Sequence, residues 1–267
     1  MKFRRRSEEK PACEVRVSAA AVAATLAAIV TLLVLADASG VVATYYFGHP
    51  TVLGLVPLFD LDRELNVPSW YSASALLMCA AALAVVAATK RRSSDRYAWH
   101  WAGLAVGFLY LSADEGAGIH EVIGPLFAGV GRWLTLHVSS YFRYLSAYPV
   151  YTWVLPASAA AAIIGLSYLR FLLALPRRTA VLFVLSAMTY LGGAVGVEVI
   201  GARHTFLFGQ QDPVYSALVI LEESMEMSSI ALFLYAVLRY GQAVIRLEFE
   251  TSPSVSDEPS ISTTARV

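Results

Sequence analysis

The sequence predicts an all-α protein, an integral membrane bundle of about six transmembrane helices with both termini cytoplasmic. Three observations predict it. The 267 residues are 57% hydrophobic and only 15% charged, far below the charge a soluble domain of this length carries. The apolar residues come in blocks of about 20, the length that crosses ~30 Å of hydrocarbon at 1.5 Å per residue. Lysine and arginine fall on alternate links between those blocks.

The blocks place spans near 17–37, 70–89, 97–116, 150–170, 179–200 and 215–238. A cytoplasmic tail is expected over 1–16, the transmembrane domain over 17–246, and a disordered cytoplasmic tail, rich in Ser, Thr, Pro and acid, over 247–267. Arg4, Arg5 and Arg6 ahead of the first block raise the question of a signal peptide. The apolar stretch from Arg16 to Asp37 is long for a signal core, so it reads as a retained helix.

Orientation follows from the cations. The first tail, the links holding Lys90 to Arg96 and Arg170 to Arg178, and the end after span six carry sixteen basic residues. The other links hold only Arg63, Arg132, Arg143 and Arg203, so the positive-inside rule makes the first set cytoplasmic and the site inner (plasma) membrane. Tyr45, Tyr46, Trp70, Tyr71, Tyr151, Trp153 and Tyr215 are expected at the outer boundary, and Tyr97, Trp99 and Tyr240 at the inner one. The outer segment 122–148 is expected to lie flat as an interfacial helix. Gly192 and Gly196 predict a close helix contact. Cys13 and Cys79 lie too far apart in depth to pair.

The acids near the membrane are concentrated. Asp114, Glu115, His120 and Glu121 close span three, Glu198 lies on span five, and Glu222, Glu223 and Glu226 share one sector of span six. Counted from the nearest inner cation, Asp114 stands ~27 Å up its span, Glu198 ~30 Å, and Glu222 and Glu226 ~26 and ~20 Å. Charges at that depth are costly unless they face the bundle, pair, share protons or bind metal. Gly116 and Gly118 permit an unwound turn that gathers the span-three groups. Arg203 is a candidate counter-ion for Glu198, and Glu64 a candidate lid. His100, His49 and His137 read as interfacial or surface residues.

Three patterns resemble those of an uncharacterised family of bacterial multipass membrane proteins. They are Glu64-x-Asn66-x-Pro68-Ser69-Trp70-Tyr71-Ser72, Ser112-x-Asp114-Glu115-x-x-x-x-His120-Glu121 and Glu222-Glu223-x-x-Glu226-Met227. The resemblance implies the multipass architecture and no activity. The paired histidines of membrane ceramidase-like hydrolases are absent near the last helix.

The residue types point first to a metal-dependent membrane enzyme acting on a small-molecule or lipid-like substrate. Its ligands would be Asp114, His120, Glu121, Glu198, Glu222 and Glu226, with Glu223 or Glu115 as base. Carboxylate oxygens with an imidazole suit a divalent ion: zinc, manganese, iron or calcium. The alternatives are a cation or proton-coupled transporter, and a structural or assembly subunit whose polar layer locks helices. Membrane lipids are expected partners; no phosphate loop or nucleic-acid patch is present.

Overall fold

The computed structural model describes residues 18–137 and 152–251, and all regular structure among them is helical. The tail 1–16, Cys13, Arg143, Tyr151 and the end beyond 251 lie outside the described residues.

Helix α1 runs Ala19–Phe47, opened by Ser18, whose Oγ accepts from the Ala21 N–H at 3.3 Å. It ends on Gly48 at φ +69°, a left-handed conformation that glycine adopts without a Cβ penalty. The sequence places the end of this span near 37. The run Ala38–Phe47 holds no proline or strong breaker, so the helix continues and Asp37 becomes a buried acid inside it. After short α2 (Leu55–Phe59), α3 spans Val67–Arg92.

A capping box starts α3, as the motif around Pro68 predicts. The Ser69 N–H donates to Asn66 Oδ1 at 3.2 Å, the Asn66 N–H donates to Ser69 Oγ at 3.0 Å, and Pro68 occupies the first turn. Asn66 Nδ2 also donates to the Asp60 carbonyl, tying the preceding loop to the helix. Asn66→Ala is expected to cost about 1 kcal/mol, read as a lowered unfolding midpoint in mild detergent. Trp70 is 72% exposed, as an interfacial anchor should be. Tyr71 is not an anchor: it is buried, and its hydroxyl donates to the Leu26 carbonyl at 3.3 Å.

Next come α4 (Ala98–Ala117), α5 (Ile119–Ile123), α6 (Ala128–His137), α7 (Val154–Ala174) and α8 (Arg177–Leu191). A π-helical turn, Gly192–Val197, leads into α9 (Glu198–Phe208), and α10 spans Pro213–Thr251. The last helix therefore continues past 246 into the stretch expected to be tail. Four stretches are long and apolar enough to cross a membrane: α1, α3, α7 and Arg177–Phe208. Helices α4 and α10 fall outside that set, and these two carry five of the candidate-site acids: Asp114, Glu115, Glu222, Glu223 and Glu226.

Helix α10 is the axis of the bundle, packed on α1, α3, α8, the π-turn and α9. Its Met227, Leu234 and Val237 are fully buried, as are Leu76, Cys79 and Leu83 of α3. Lipid offers no hydrophobic drive between helices, so packing and interhelical hydrogen bonds matter most. Ser112 Oγ donates to the Ala73 carbonyl at 2.8 Å, and Ser186 Oγ to the Ser229 carbonyl at 2.7 Å. Close contact at the π-turn comes from Gly192 and Gly193. A Cβ on Gly193 would lie 2.9 Å from the Glu222 carbonyl oxygen, whereas one on Gly196 would meet nothing of α10 within 4 Å. The extra residue of a π-turn rotates the four-residue spacing, which moves Gly196 off the expected face.

From α5 through the 3-10 turn Gly124–Phe127 into α6, Val122, Leu126, Val130 and Trp133 are exposed at helical spacing, the row an interfacial helix needs. Residues 138–148 of that expected segment lie outside the described residues.

The link from α3 to α4 is held by Asp95, which accepts from Lys90 Nζ at 3.1 Å and from the Tyr97 N–H at 2.8 Å. Burial pushes the Asp95 carboxyl up, but those two donors outweigh it and hold the group below the usual carboxylate range. A depressed acid stabilises the fold above its unfolded pKa of about 3.9. That contribution is lost as pH falls through the lower folded value. Asp95→Asn is expected to remove this acid-side loss, measured as unfolding midpoints below about pH 4.

Candidate functional site

Four segments deliver the acids to one end of the bundle. The turn before α3 supplies Asp62 and Glu64, the end of α4 supplies Asp114 and Glu115, α9 begins with Glu198, and α10 carries Glu222, Glu223 and Glu226.

The local geometry is clearest at the end of α4. Gly118, at φ +58°, breaks the helix, and its N–H donates to the Asp114 carbonyl at 2.8 Å. The chain folds back so that Asp114 Oδ1 accepts the His120 backbone N–H at 2.7 Å and Asp114 Oδ2 faces His120 Nδ1 at 3.2 Å. A carboxylate in that position places the ring proton on Nδ1. His120 Nε2 then points toward Glu64 Oε1, 3.9 Å away, and the ring leans on Trp153 with centroids 5.1 Å apart. A Cβ on residue 118 would clash with Glu64 Oε2, so Glu64 would have to move, and the left-handed φ itself favours glycine there.

Helix α10 brings the remaining acids into the same space. The strongest electrostatic neighbours of Glu223 are Glu226, Glu115, Asp62 and Glu198. Those of Glu222 are Glu198, Glu223 and Asp62, and His120 is the first neighbour of Glu198. Tyr190 of α8 donates its hydroxyl to Glu226. No lysine or arginine figures among the main neighbours of Glu115, Glu198, Glu222, Glu223 or Glu226. Each of these five residues is of intermediate exposure as a whole.

Glu115, His120, Glu198, Glu222, Glu223 and Glu226 are thus linked as electrostatic neighbours, and Asp114 joins them through Glu115 and His120. Glu121 lies on α5, and its side chain is outside the described residues. Arg203 is exposed and forms no ion pair with Glu198 among the described residues. His204 pairs instead with Asp212, which closes the turn between α9 and α10. Among the described residues, no group of three or more His, Cys, Asp and Glu side chains is placed to hold a metal ion.

Sequence reasoning missed Asp62, Tyr190 and Asp37. Asp62 accepts from the Tyr215 hydroxyl at 2.9 Å, which latches the loop before α3 onto the start of α10. Asp37 has the Leu61 N–H as donor and Asp60 and Asp62 as electrostatic neighbours. A lone acid inside the apolar run of α1 was the available signal for Asp37. Nothing local marks Asp62 or Tyr190, because a loop acid and a helix tyrosine gain their roles only from the folded contacts.

Fold and site together define an all-α protein with helices long and apolar enough to cross a membrane and a cluster of acids contributed by several of its segments. The sequence profile described as "Domain of unknown function (DUF8692)" matches residues 21–240, and the chain belongs to that uncharacterised family. The match runs from α1 into α10 and takes in every acid of the cluster. No curated protein and no solved structure matches the chain.

Proposed function

We propose that the chain is a six-span protein of the inner (plasma) membrane with cytoplasmic termini, whose outer-side acidic cluster binds a divalent cation and acts as a metal-dependent enzyme on a lipid-like substrate. One observation carries the reading. Eight acids and a histidine from five segments lie near one another, and no lysine or arginine is among the main neighbours of the central glutamates. Negative charge at that density inside a membrane protein calls for protons or a bound cation.

The donor set favours the cation. The imidazole is oriented through Nδ1 by Asp114, the arrangement of a metal-ligating histidine and its outer-shell carboxylate. Asp114 is thereby reassigned from ligand to positioning residue. His120, Glu64, Glu198, Glu222 and Glu226 form the ligand set, drawn together by side-chain rotation when the ion enters. Oxygen-rich donors with one nitrogen suit manganese, iron or calcium, and zinc if fewer oxygens bind. A bound ion would polarise a substrate oxygen. Glu223 and Glu115, neighbours of one another, are the carboxylates placed to take a proton. The exposed apolar row that starts at Val122, two residues beyond His120, favours a substrate approaching from lipid.

A transporter is the second reading, favoured by helix interruptions at Gly118 and at the π-turn beside the acids. Titration of Mn²⁺ into purified protein, followed by loss of the free-ion resonance signal, tests the cation claim. Saturable binding lost in Glu226→Gln supports it; wild-type protein that leaves all Mn²⁺ free rejects it. Mn²⁺ uptake into proteoliposomes that depends on Glu222 would favour the transporter.

A further inference from the structure

At the opposite end of the bundle from the acids, the residues just before α4 and the end of α7 border an open surface cavity of about 300 Å³. Arg96 and Tyr97 line one side, and Arg170, Leu173 and Ala174 the other. Tyr97 organises the cations. Its ring lies under the Arg96 guanidinium at 4.5 Å, and its hydroxyl accepts from Arg96 and donates to the Arg170 carbonyl at 3.2 Å. The nearby acid, Asp95, is bound by Lys90 and lies within electrostatic reach of Arg96 without forming an ion pair with it. Neither Arg96 nor Arg170 forms an ion pair among the described residues. Leu173 is 77% exposed beside them and gives the cavity an apolar lip.

Two guanidinium groups at a shared cavity match a phosphate, which they bind through charge-assisted hydrogen bonds. A free anion gains nothing from the apolar lip, whereas a phospholipid places its glycerol and first methylenes there. We propose that this cavity is a specific seat for the headgroup of an anionic phospholipid, with Arg96 and Arg170 on the phosphate and Leu173 and Ala174 against the glycerol end. The seat is independent of the acidic cluster, and its lipid is a structural or regulatory ligand there.

The test uses full-length protein in nanodiscs of phosphatidylcholine with increasing phosphatidylglycerol, and reads the retained lipids by native mass spectrometry. Wild type is expected to prefer phosphatidylglycerol, with about five-fold of the preference lost per arginine in Arg96→Gln and Arg170→Gln. Ala174→Phe, which fills the cavity and keeps every charge, should lose the preference as well. Arg92→Gln, exposed on the last turn of α3 and outside the cavity, should keep it. Equal loss in Arg92→Gln, or no loss in Ala174→Phe, would show only diffuse attraction and overturn the proposal. Displacement of the lipid by inorganic phosphate alone would overturn it too, because the site would then read a free anion.

Discussion

Asp114→Asn is expected to weaken divalent-cation binding about 10- to 100-fold while leaving the helices intact. The asparagine side-chain oxygen can still accept the His120 backbone N–H, so the fold-back after Gly118 is kept. At the ring, the amide presents a donor where the carboxylate presented an acceptor. The imidazole must then take Nδ1 as acceptor and carry its proton on Nε2, the nitrogen that faces Glu64. A protonated Nε2 cannot ligate. The structural-subunit reading predicts the reverse: a lowered unfolding midpoint and no change in bound ion. Cation titration and unfolding measured on one preparation separate the two. His120→Gln should abolish the same share of affinity by removing the ligand itself.

Gly193→Val is expected to be the most damaging substitution in the packing. Its Cβ would lie 2.9 Å from the Glu222 carbonyl oxygen, 3.2 Å from Glu226 Cγ and 3.3 Å from Met225 Cβ. The first of these is backbone in the central helix and cannot swing aside. Overpacking of this kind costs about 3 kcal/mol or separates the helices. Separation would draw Glu198, five residues on, away from Glu222 and Glu226, so cation binding falls together with stability. Gly196→Ala is the control. A Cβ there meets nothing of α10 within 4 Å, and alanine is the better helix former, so stability should hold or rise slightly. Unfolding in mild detergent reads both variants.

These two positions also show how far the sequence speaks. The acids of α4, α9 and α10 could be set at one height because rise per residue is fixed and the basic ends of the helices supply a common origin. The cap at Asn66 was legible because its chemistry is local, confined to four residues. The π-turn was not, since one inserted residue leaves composition unchanged yet rotates Gly196 away and brings Gly193 in. The His120 nitrogen that Asp114 fixes was not legible either, because spacing records which groups can approach and not which atom each one meets. Asp62 and Tyr190 stayed hidden for a related reason. Each gains its role from a partner far away along the chain: Tyr215 for Asp62 and Glu226 for Tyr190.

The inferred function rests on an ion held jointly by His120 and the glutamates of α9 and α10. Pulsed electron paramagnetic resonance of Mn²⁺-loaded protein reports ligating nitrogen directly. The expected spectrum shows modulation from one imidazole nitrogen, absent in His120→Gln and retained in His204→Gln, whose histidine pairs with Asp212 instead. Bound manganese with no nitrogen modulation, or modulation that survives His120→Gln, would contradict the assignment.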